Sequence, residues 1–473
     1  MSTSMTVAIA GEYLAARPFA QLTDPAMLGI RDALHAADVT YAHLEMNFGD
    51  HRELWAGRGD SYGSYMLADP AVAADLAWLG VDVLSMANNH SLDFGQRGLT
   101  STLDACRKAG LACAGTGADL DEARKPAYRE TSAGRVALVA TASGNKATEW
   151  AGRPKETMVG RPGINPLRVN MCHEVDADSA AALREAADGL GILRTKAHTG
   201  PGKTGQQLAD DQFQLTLPGG QSAAGEFVFH SAETPRVTTT CHPEDLEANL
   251  RSIRSARAMA DIVLVAHHFN LSEGPRGNRP PAFVREFAHR AIDEGADIYL
   301  GHGWHRTLGI EIYRGKPIFY GLGNFFAQSA FLEHVPADAY ETWGHDADSL
   351  PSLTPDIWPL HPGLGPHRET WWSSALINVD IVDGRVESIT LRPVELGRDV
   401  SDEAPITRST GRSATHPLTE GRPRLAKGEN ATRVLERIQH LSRDLGTDLT
   451  IDDGVGSIRL IPQVAAPTKG EPR

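Results

Sequence analysis

The sequence lacks the long apolar segments with which proteins cross membranes. It contains no stretch of about 18 apolar residues. The opening residues MSTSMTVAIAGEY also lack the basic region, long apolar region and cleavage pattern of a signal peptide. Cysteine is scarce, with four residues in the chain. These cysteines form no CxxC pair and lie on or near apolar segments. They are interpreted as buried thiols in a reducing compartment, so a cytoplasmic protein without a membrane anchor is expected.

Positive charge is in deficit. The 46 basic residues face 60 acidic ones, which gives a formal net charge of −14, and no run of lysine or arginine interrupts this balance. Such a charge disfavours nucleic acid or an anionic membrane as the main partner. The spacing of a phosphate loop is also missing, because GPGKTG at 200–205 departs from GxxxxGK[ST] and follows no apolar strand. A small molecule or a short polymer is therefore the expected substrate.

The first part of the chain alternates apolar strands with amphipathic helices. Strands are predicted at 7–10, 39–45, 81–86, 111–114 and 136–140, with helices at 24–37, 69–79 and 98–108. Asp24-Pro25 and Asp69-Pro70 supply helix-start signals. Regular alternation of this kind favours a layered α/β sandwich.

The most informative stretch runs from 261 to 328. Two apolar β-branched runs, 262–265 and 298–300, flank a helix predicted at 283–294, and this order predicts two parallel strands. Histidines follow each run: His267 and His268 after the first, His302 and His305 after the second. Ligands of open α/β sheets bind beyond the carboxyl ends of the strands, so both histidine pairs should face one crevice.

Other polar residues also stand where a predicted strand ends. The full set of these strand-end residues is Glu12, Glu45, Asn88, Asn89, His90, His267, His268, His302, His305 and Asn324. Imidazole, carboxylate and amide donors suit zinc, iron or manganese, and two ions can share a bridging carboxylate. The alternatives are solvated surface histidines and, for Asn-Asn-His at 88–90, a plain turn.

The alternation divides the chain into four regions. Residues 1–147 form the first half of a core. Residues 148–242 break the alternation and are interpreted as an insertion over the crevice. Residues 243–400 form the second half of the core, with a loop insertion at 329–370. Residues 401–473 form a C-terminal extension with a helix at 430–445 and a tail that is expected to be disordered.

Several short motifs in this framework resemble those of one known family. They are HLE at 43–45, ANNHSLDFG at 87–95, the strand end VAHHFN at 265–270, GHGWH at 301–305 and IFYGLGNF at 318–325. The chain is similar here to the CapA/PgsA capsule-biosynthesis proteins, which are associated with poly-γ-glutamate and built on the calcineurin-like metallophosphoesterase fold. The resemblance covers roughly residues 6–328 and implies an α/β/β/α sandwich of the metallophosphoesterase type with inserted loop regions.

The resemblance also implies a ligand set. Its metal ligands would be Glu12, Glu45, Asn89, His268, His302 and His305. His90 would lie near the leaving group, His267 is the alternative to His268, and Asn88 and Asn324 are possible additional ligands. The chain departs from the family at Glu12, where an aspartate is usual, at Gly-His-Gly-Trp-His in place of Gly-His-His-Pro-His, and in the missing membrane anchor.

The function implied by this resemblance is that of a soluble hydrolase of poly-γ-glutamate or capsule biosynthesis. Two divalent ions, manganese, iron or zinc, would activate water for attack on a phosphoester or on a γ-glutamyl-like amide or peptide bond. The alternative is a non-catalytic binding or assembly protein of the same pathway.

Overall fold

The fold is taken from a computed structural model. It describes residues 4–57, 65–195, 208–215, 227–271, 278–329, 332–342, 346, 369–397 and 421–460. Three features named above lie outside the described residues, namely the GPGKTG segment, most of the 329–370 loop and residues 461–473 of the C-terminal tail.

The described residues form 25 strands and nine helices. The strands are β1 Ser4–Leu14, β2 Val39–Leu44, β3 Asn47–Phe48, β4 Leu67–Ala68, β5 Val83–Ser85, β6 Ala112–Ala114, β7 Thr116–Gly117, β8 Ala127–Thr131, β9 Gly134–Ser143, β10 Gly163–Ile164, β11 Val169–Val175, β12 Leu193–Arg194, β13 Phe213–Leu215, β14 Phe227–Ser231, β15 Arg236–Cys241, β16 Ile262–Phe269, β17 Ile298–His302, β18 Ile310–Tyr313, β19 Lys316–Phe319, β20 Asn324–Ala327, β21 Ser373–Val382, β22 Arg385–Glu395, β23 Arg424–Leu425, β24 Thr450–Asp452 and β25 Val455–Arg459. The helices are α1 Pro25–His35, α2 Ala71–Leu79, α3 Gly95–Lys108, α4 Leu120–Ala123, α5 Ala177–Gly189, α6 Pro243–Met259, α7 Ala282–Asp293, α8 Ala337–Thr342 and α9 Gly428–Arg443, and a 3₁₀ turn spans Glu369–Trp371.

The larger sheet has ten strands. Its order is β24-β25-β22-β21-β1-β2-β5-β6, with β20 added beside β1 and β23 beside β22. The strands β1, β2, β5 and β6 are parallel, whereas β21 runs antiparallel to β1. The first strand changes partner along its length, pairing with β21 over Ser4–Ile9 and with β20 from Glu12 onward.

The second sheet has six strands in the order β18-β19-β17-β16-β9-β8. The predicted parallel pairing of β16 with β17 is confirmed, and His268 lies opposite His302 in its register. Both strands are longer than predicted. β16 continues through both histidines to Phe269 and β17 continues to His302, so these histidines belong to the sheet itself and the predicted strand ends at 265 and 300 were wrong.

Three hydrophobic clusters hold these elements together. One cluster contains apolar side chains from both sheets, such as Val7 and Ile9 of β1 and Leu264 of β16. A second packs α1, α2 and α3 on the larger sheet through residues such as Ile30, Leu76 and Leu99. A third packs α6 and α7 on the smaller sheet. Burial of these apolar faces is the main source of stability, and the mixed α/β class predicted from the sequence is confirmed.

Two regions contain more regular structure than the sequence analysis predicted. The 148–242 insertion holds a five-stranded sheet in the order β12-β13-β14-β11-β15, together with α5. This sheet contacts α7, since the backbone N–H of Cys241 donates to the Glu286 carboxylate over 3.0 Å. In the C-terminal extension α9 is followed by the β24–β25 hairpin, which joins the larger sheet.

Membrane-spanning helices were not expected from the sequence. Within the described ranges no helix has the length and apolar character to cross a bilayer.

Candidate metal centre

Polar side chains continue the buried apolar faces where the two sheets meet. Tyr41 belongs with Val39 to the cluster shared by both sheets, and His43 follows two residues later on the same strand. In the same way His268 follows Leu264 and Ala266, and His302 follows Ile298 and Leu300. Because successive side chains of a strand alternate between its faces, these three histidines lie between the sheets, and each is at most 1% exposed.

Glu12 reaches this face because β1 is irregular. Val7 and Ile9 face the shared cluster whereas Ala8 and Ala10 face the helices, so an undistorted strand would turn Glu12 toward the helices. The pairing of β1 with β2 shifts between Ile9 and Glu12, and such a bulge re-aims the side chains that follow it. Glycine is needed at Gly11, where a Cβ would lie 1.9 Å from the carbonyl oxygen of Gly323.

Glu45 lies at the centre of the polar residues. Its side chain is fully buried, and neither oxygen has a hydrogen-bond partner among the described residues. Oε1 lies 3.8 Å from His268 Nε2 and 3.9 Å from His90 Nε2, while Oε2 lies 3.8 Å from His305 Nδ1. Burial, together with the neighbouring charges of Glu12 and Asp93, raises the pKa of Glu45 well above its usual value. A metal cation beside Glu45, in addition to the positive charge of His305, would therefore be strongly stabilised.

Two groups of potential ligands share Glu45. The first cluster comprises Glu12, Glu45 and His305, and the second cluster comprises His43, Glu45 and His268. Within each cluster one donor atom per residue lies within 4.8 Å of the others. One carboxylate common to two such clusters suits two ions bridged by that carboxylate.

Glu12 and His305 form a buried ion pair in the first cluster. Nδ1 of His305 lies 2.7 Å from Glu12 Oε2 and 2.9 Å from Asn324 Oδ1. Burial opposes both charges. However, the negative charges of Glu12 and Glu45 together have a larger effect than burial and raise the pKa of His305 to about 10. In turn, the positive charge of His305 holds the pKa of Glu12 well below its usual value. The Trp371 ring covers His305 at a centroid distance of 4.4 Å.

The loop that carries His305 bends back toward Glu12. The backbone N–H of Gly303 donates to Glu12 Oε1 over 2.9 Å. Gly303 has a φ of +104°, and a Cβ there would lie 2.4 Å from the carbonyl oxygen of Phe269. His305 itself has a φ of +52°, a region that non-glycine residues seldom adopt. This backbone geometry brings His305 beside the carboxylates.

The imidazoles of His43, His268 and His302 are buried and neutral. Burial lowers the pKa of His43 and of His268 well below the usual value, and it lowers the pKa of His302 to about 3. Neutral imidazole is the form that binds metal ions. His268 Nε2 lies 2.8 Å from Asn89 Oδ1. His302 belongs to neither cluster, although its buried Nδ1 has no hydrogen-bond partner within the described ranges.

Residues 88–93 form the turn after β5. The Asn88 amide donates to the Leu44 carbonyl over 2.7 Å and accepts from the backbone N–H of His90 over 2.9 Å, so it stabilises the turn. His90 Nδ1 lies 2.8 Å from Asp93 Oδ2, which leaves Nε2 on the Glu45 side. Asn324 likewise has a positioning contact, because its amide nitrogen donates to the Trp371 carbonyl over 3.1 Å.

His267 lies on the opposite face of β16 from His268. Its Nε2 is 2.8 Å from Ser143 Oγ and its Nδ1 is 2.7 Å from the Tyr299 hydroxyl. Its ring packs against Phe283 and Phe287. Both nitrogens are therefore engaged away from the carboxylates.

Sequence reasoning missed several residues of this site: Tyr41, His43, Ser85, Asp93 and Trp371. A spacing of two along β2 would have found Tyr41 and His43, because they share a strand face with Glu45. Asp93 could have been found three residues after His90 in the same turn. No local signal marks Trp371, which reaches the site from the 3₁₀ turn before β21.

The donor set fits divalent metal ions. Among the described residues, three buried atoms at the junction of the sheets have no hydrogen-bond partner, namely both oxygens of Glu45 and Nδ1 of His302. Buried polar atoms are usually paired, and carboxylate oxygens with neutral imidazoles are ligands of zinc, iron and manganese.

Comparisons with known proteins identify relatives of this chain. The chain is 31% identical over 464 residues to an uncharacterised protein of Sinorhizobium fredii, covering 96% of this chain and 93% of that protein. It is 30% identical over 292 residues to a probable polyglutamine synthesis accessory protein of Mycobacterium tuberculosis, covering 61% of this chain and 55% of that protein. It is also 41% identical over 83 residues to the PGA biosynthesis protein CapA of Bacillus subtilis, covering 18% and 21% of the two chains.

The family resemblance expected from the sequence is confirmed. Residues 6–329 match the family model described as bacterial capsule synthesis protein PGA_cap. This match includes both strand pairs that carry Glu12, Glu45, His268 and His302. The chain belongs to the bacterial capsule synthesis protein PGA_cap family.

Proposed function

We propose that this chain is a hydrolase that works with two divalent metal ions, one on each side of Glu45. The observation that carries the proposal is the fully buried Glu45 carboxylate, whose Oε1 lies 3.8 Å from His268 Nε2 and whose Oε2 lies 3.8 Å from His305 Nδ1. These distances are too long for hydrogen bonds. Two donors bound to one ion at about 2.1 Å each lie at most about 4.2 Å apart, so both distances fit shared ions.

The proposed ligands divide between the two ions. Glu12, Glu45 and His305 would hold the first ion, and Glu45, Asn89, His268 and His302 would hold the second. His43 of the second cluster is not among these ligands, because its ring nitrogens contact Ser85 Oγ at 2.7 Å and His268 Nδ1 at 3.0 Å. The set contains imidazole, carboxylate and amide donors, which suits manganese, iron or zinc. When bound, such ions supply Lewis acidity and lower the pKa of water.

His90 is the proposed proton donor. Its Nδ1 lies 2.8 Å from Asp93 Oδ2, and Asp93 Oδ2 also accepts from the backbone N–H of Met66 over 2.8 Å. This contact fixes the orientation of the ring, so that Nε2 lies 3.9 Å from Glu45 Oε1. A proton held at Nε2 can pass to the leaving atom, while Glu12 and Glu45 hold the negative charge that the ions require.

The proposed substrate is a phosphoester or a γ-glutamyl-like amide. Either suits a pair of ions that polarise an oxygen and activate water. The names of the Mycobacterium and Bacillus relatives refer to polyglutamine and PGA biosynthesis, which supports the amide. The word accessory in the first of these names supports a second candidate, a binding or assembly role without turnover.

Turnover assays separate the two candidates. Purified protein would be incubated with manganese, iron(II) or zinc and with bis(4-nitrophenyl) phosphate or γ-glutamyl-4-nitroanilide. The hydrolase proposal predicts turnover of at least one of these substrates. This turnover should be abolished by EDTA and lost in the His90→Ala variant. Metal binding without turnover of either substrate would favour the assembly role.

We further propose that the layers follow the metallophosphoesterase arrangement, with helices outside two facing sheets. The support is the hydrophobic cluster to which both sheets contribute and the separate clusters of α1 to α3 and of α6 and α7 on the two sheets.

A further inference from the structure

A continuous series of buried hydrogen bonds connects His268 with His302. His268 Nδ1 lies 3.0 Å from His43 Nε2, and His43 Nδ1 lies 2.7 Å from Ser85 Oγ. Ser85 Oγ lies 2.6 Å from the Tyr41 hydroxyl, which lies 2.6 Å from His302 Nε2. Each of the five residues is at most 2% exposed.

We infer that Tyr41, Ser85 and His43 form a positioning bridge that determines which nitrogen of His268 and of His302 faces the second metal ion. The inference rests on the proposed function, because it concerns the ligands of the same site. It assigns a role to three residues that are not themselves proposed as ligands.

The hydrogen bonds alone allow two proton arrangements, because Nε2 of His268 can also donate to Asn89 Oδ1 at 2.8 Å. An ion held at Nε2 would leave only one of them. His268 presents a lone pair at Nε2, beside Asn89 Oδ1 and Glu45 Oε1, only if its proton is on Nδ1. That proton then points to His43 Nε2, so His43 must carry its own proton on Nδ1 and donate it to Ser85 Oγ. A neutral imidazole has one donor and one acceptor nitrogen, which leaves no other assignment on this side.

The same reasoning applies from His302. In the part of the chain that the structure describes, its buried Nδ1 has no hydrogen-bond partner. This nitrogen presents a lone pair only if Nε2 carries the proton. Nε2 then donates to the Tyr41 oxygen, and the Tyr41 hydroxyl donates to Ser85 Oγ. Both directions meet at Ser85, whose hydroxyl oxygen has two lone pairs and can accept twice. All five groups stay neutral, as their burial favours.

His43 acts in this bridge as a positioning residue. Both of its ring nitrogens are within hydrogen-bond distance of a bridge partner, Ser85 Oγ at 2.7 Å and His268 Nδ1 at 3.0 Å. Its ring also lies parallel to that of His302, with centroids 4.3 Å apart and an interplanar angle of 14°. Partners of this kind fix the tautomer and orientation of a metal-binding histidine, and their loss lowers metal affinity about 10- to 100-fold.

The chain contains a matched control. Ser143 and Tyr299 contact His267 on the other face of β16, at 2.8 Å and 2.7 Å, just as Ser85 contacts His43 and Tyr41 contacts His302. Ser143→Ala and Tyr299→Phe therefore remove the same atoms from equally buried histidine contacts that do not lead to the second ion.

The test is a titration of the whole chain with Zn²⁺ against a chromophoric chelator, which yields a dissociation constant for each ion. We expect Ser85→Ala and Tyr41→Phe to raise the constant of the second ion about 10- to 100-fold and to leave that of the first ion unchanged. The visible spectrum of the Co²⁺ form should change for the second ion only. The Ser143→Ala and Tyr299→Phe controls should have the dissociation constants of the wild type. Ser85→Thr keeps the hydroxyl and should therefore also have wild-type constants.

Other outcomes overturn the inference. Unchanged dissociation constants in both bridge variants would do so. Equal weakening of the binding of both ions, or the same loss of affinity in the control variants, would also do so, because either result would indicate a general loosening of the fold. If Ser85→Ala does not fold, Tyr41→Phe, which keeps the ring, decides alone. Wild-type protein that binds no divalent ion would refute the proposed function instead, so the two failures are distinguishable.

Discussion

Replacing Glu45 by glutamine keeps the length of the side chain but removes the negative charge that faces both His268 and His305. If Glu45 serves two ions, Glu45→Gln should weaken both. Removing one partner of a buried charge pair costs about 3 kcal/mol or more, which corresponds to about a hundredfold in each dissociation constant.

The effect on folding stability follows from this loss. With free zinc at about 100 times each wild-type dissociation constant, each ion stabilises the fold by about 2.7 kcal/mol, so two contribute about 5.4 kcal/mol. A hundredfold weaker site contributes about 0.4 kcal/mol at the same concentration, which leaves about 0.8 kcal/mol for two. In EDTA the sign reverses: because burial and the charges of Glu12 and Asp93 raise the pKa of Glu45, the variant should be at least as stable as the wild type.

Urea denaturation with zinc and with EDTA measures both quantities. Glu311→Gln is the control, because the Glu311 carboxylate lies 3.0 Å from His289 Nε2 and accepts from the Tyr320 hydroxyl over 2.6 Å, away from the metal ligands. It should keep the full zinc-dependent stabilisation. The reasoning is refuted if Glu45→Gln retains the wild-type increment with zinc, or if it unfolds in EDTA while the control does not.

Three further substitutions probe separate parts of the site. Glu12→Gln should lose the first ion and keep the second, because an amide is a poorer donor than a carboxylate; a metal-to-protein ratio that stays at the wild-type value would exclude Glu12 as a ligand. His90→Ala should keep both ions while kcat falls about 10²- to 10⁴-fold; metal lost in step with activity would mean that His90 binds an ion. Burial lowers the pKa of His267 to about 3, so its contribution to stability is complete above its unfolded pKa of about 6.5 and is lost as pH falls toward 3. Between pH 7 and pH 5 in EDTA, His267→Gln should therefore lose about 2 kcal/mol less stability than the wild type, and equal losses in urea denaturation would contradict this.

Much of the site could be predicted because its residues stand at the ends of buried strands. Apolar runs such as 262–265 locate a strand, and the first polar residues after them face the crevice at its carboxyl end. This reasoning found Glu45, Asn89, His90, His268, His302 and His305 as candidates. Helix positions followed equally well from caps and periodicity, as α1 illustrates: it was predicted at 24–37 from Asp24-Pro25, and it spans Pro25–His35 with Asp24 as its N-cap.

The choice between adjacent residues could not be predicted. His267 and His268 both extend apolar alternating faces, Val263 and Val265 on one side and Leu264 and Ala266 on the other. Both faces are buried, so polarity does not distinguish the one between the sheets. The direction of the Glu12 side chain could not be predicted either. It depends on the bulge in β1, which arises where Gly323 closely approaches Gly11, and no local sequence pattern marks that bulge.

The remaining errors arise from long-range pairing. The strands β11 and β15 of the insertion pair across 60 or more residues, and their polar, partly exposed sequences carry little alternation. The hairpin β24–β25 is stabilised by pairing with β22. A short window contains neither partner, so β11 and β15 were not predicted and the residues of the hairpin were interpreted as part of the tail.

Anomalous diffraction from crystals grown with zinc or manganese tests the central claim most directly. Two peaks should lie on either side of the Glu45 carboxylate, the first within bonding distance of Glu12 and His305 and the second within bonding distance of His268. Crystals that show no peak beside Glu45 at saturating metal, or peaks only elsewhere on the chain, would contradict a dinuclear centre.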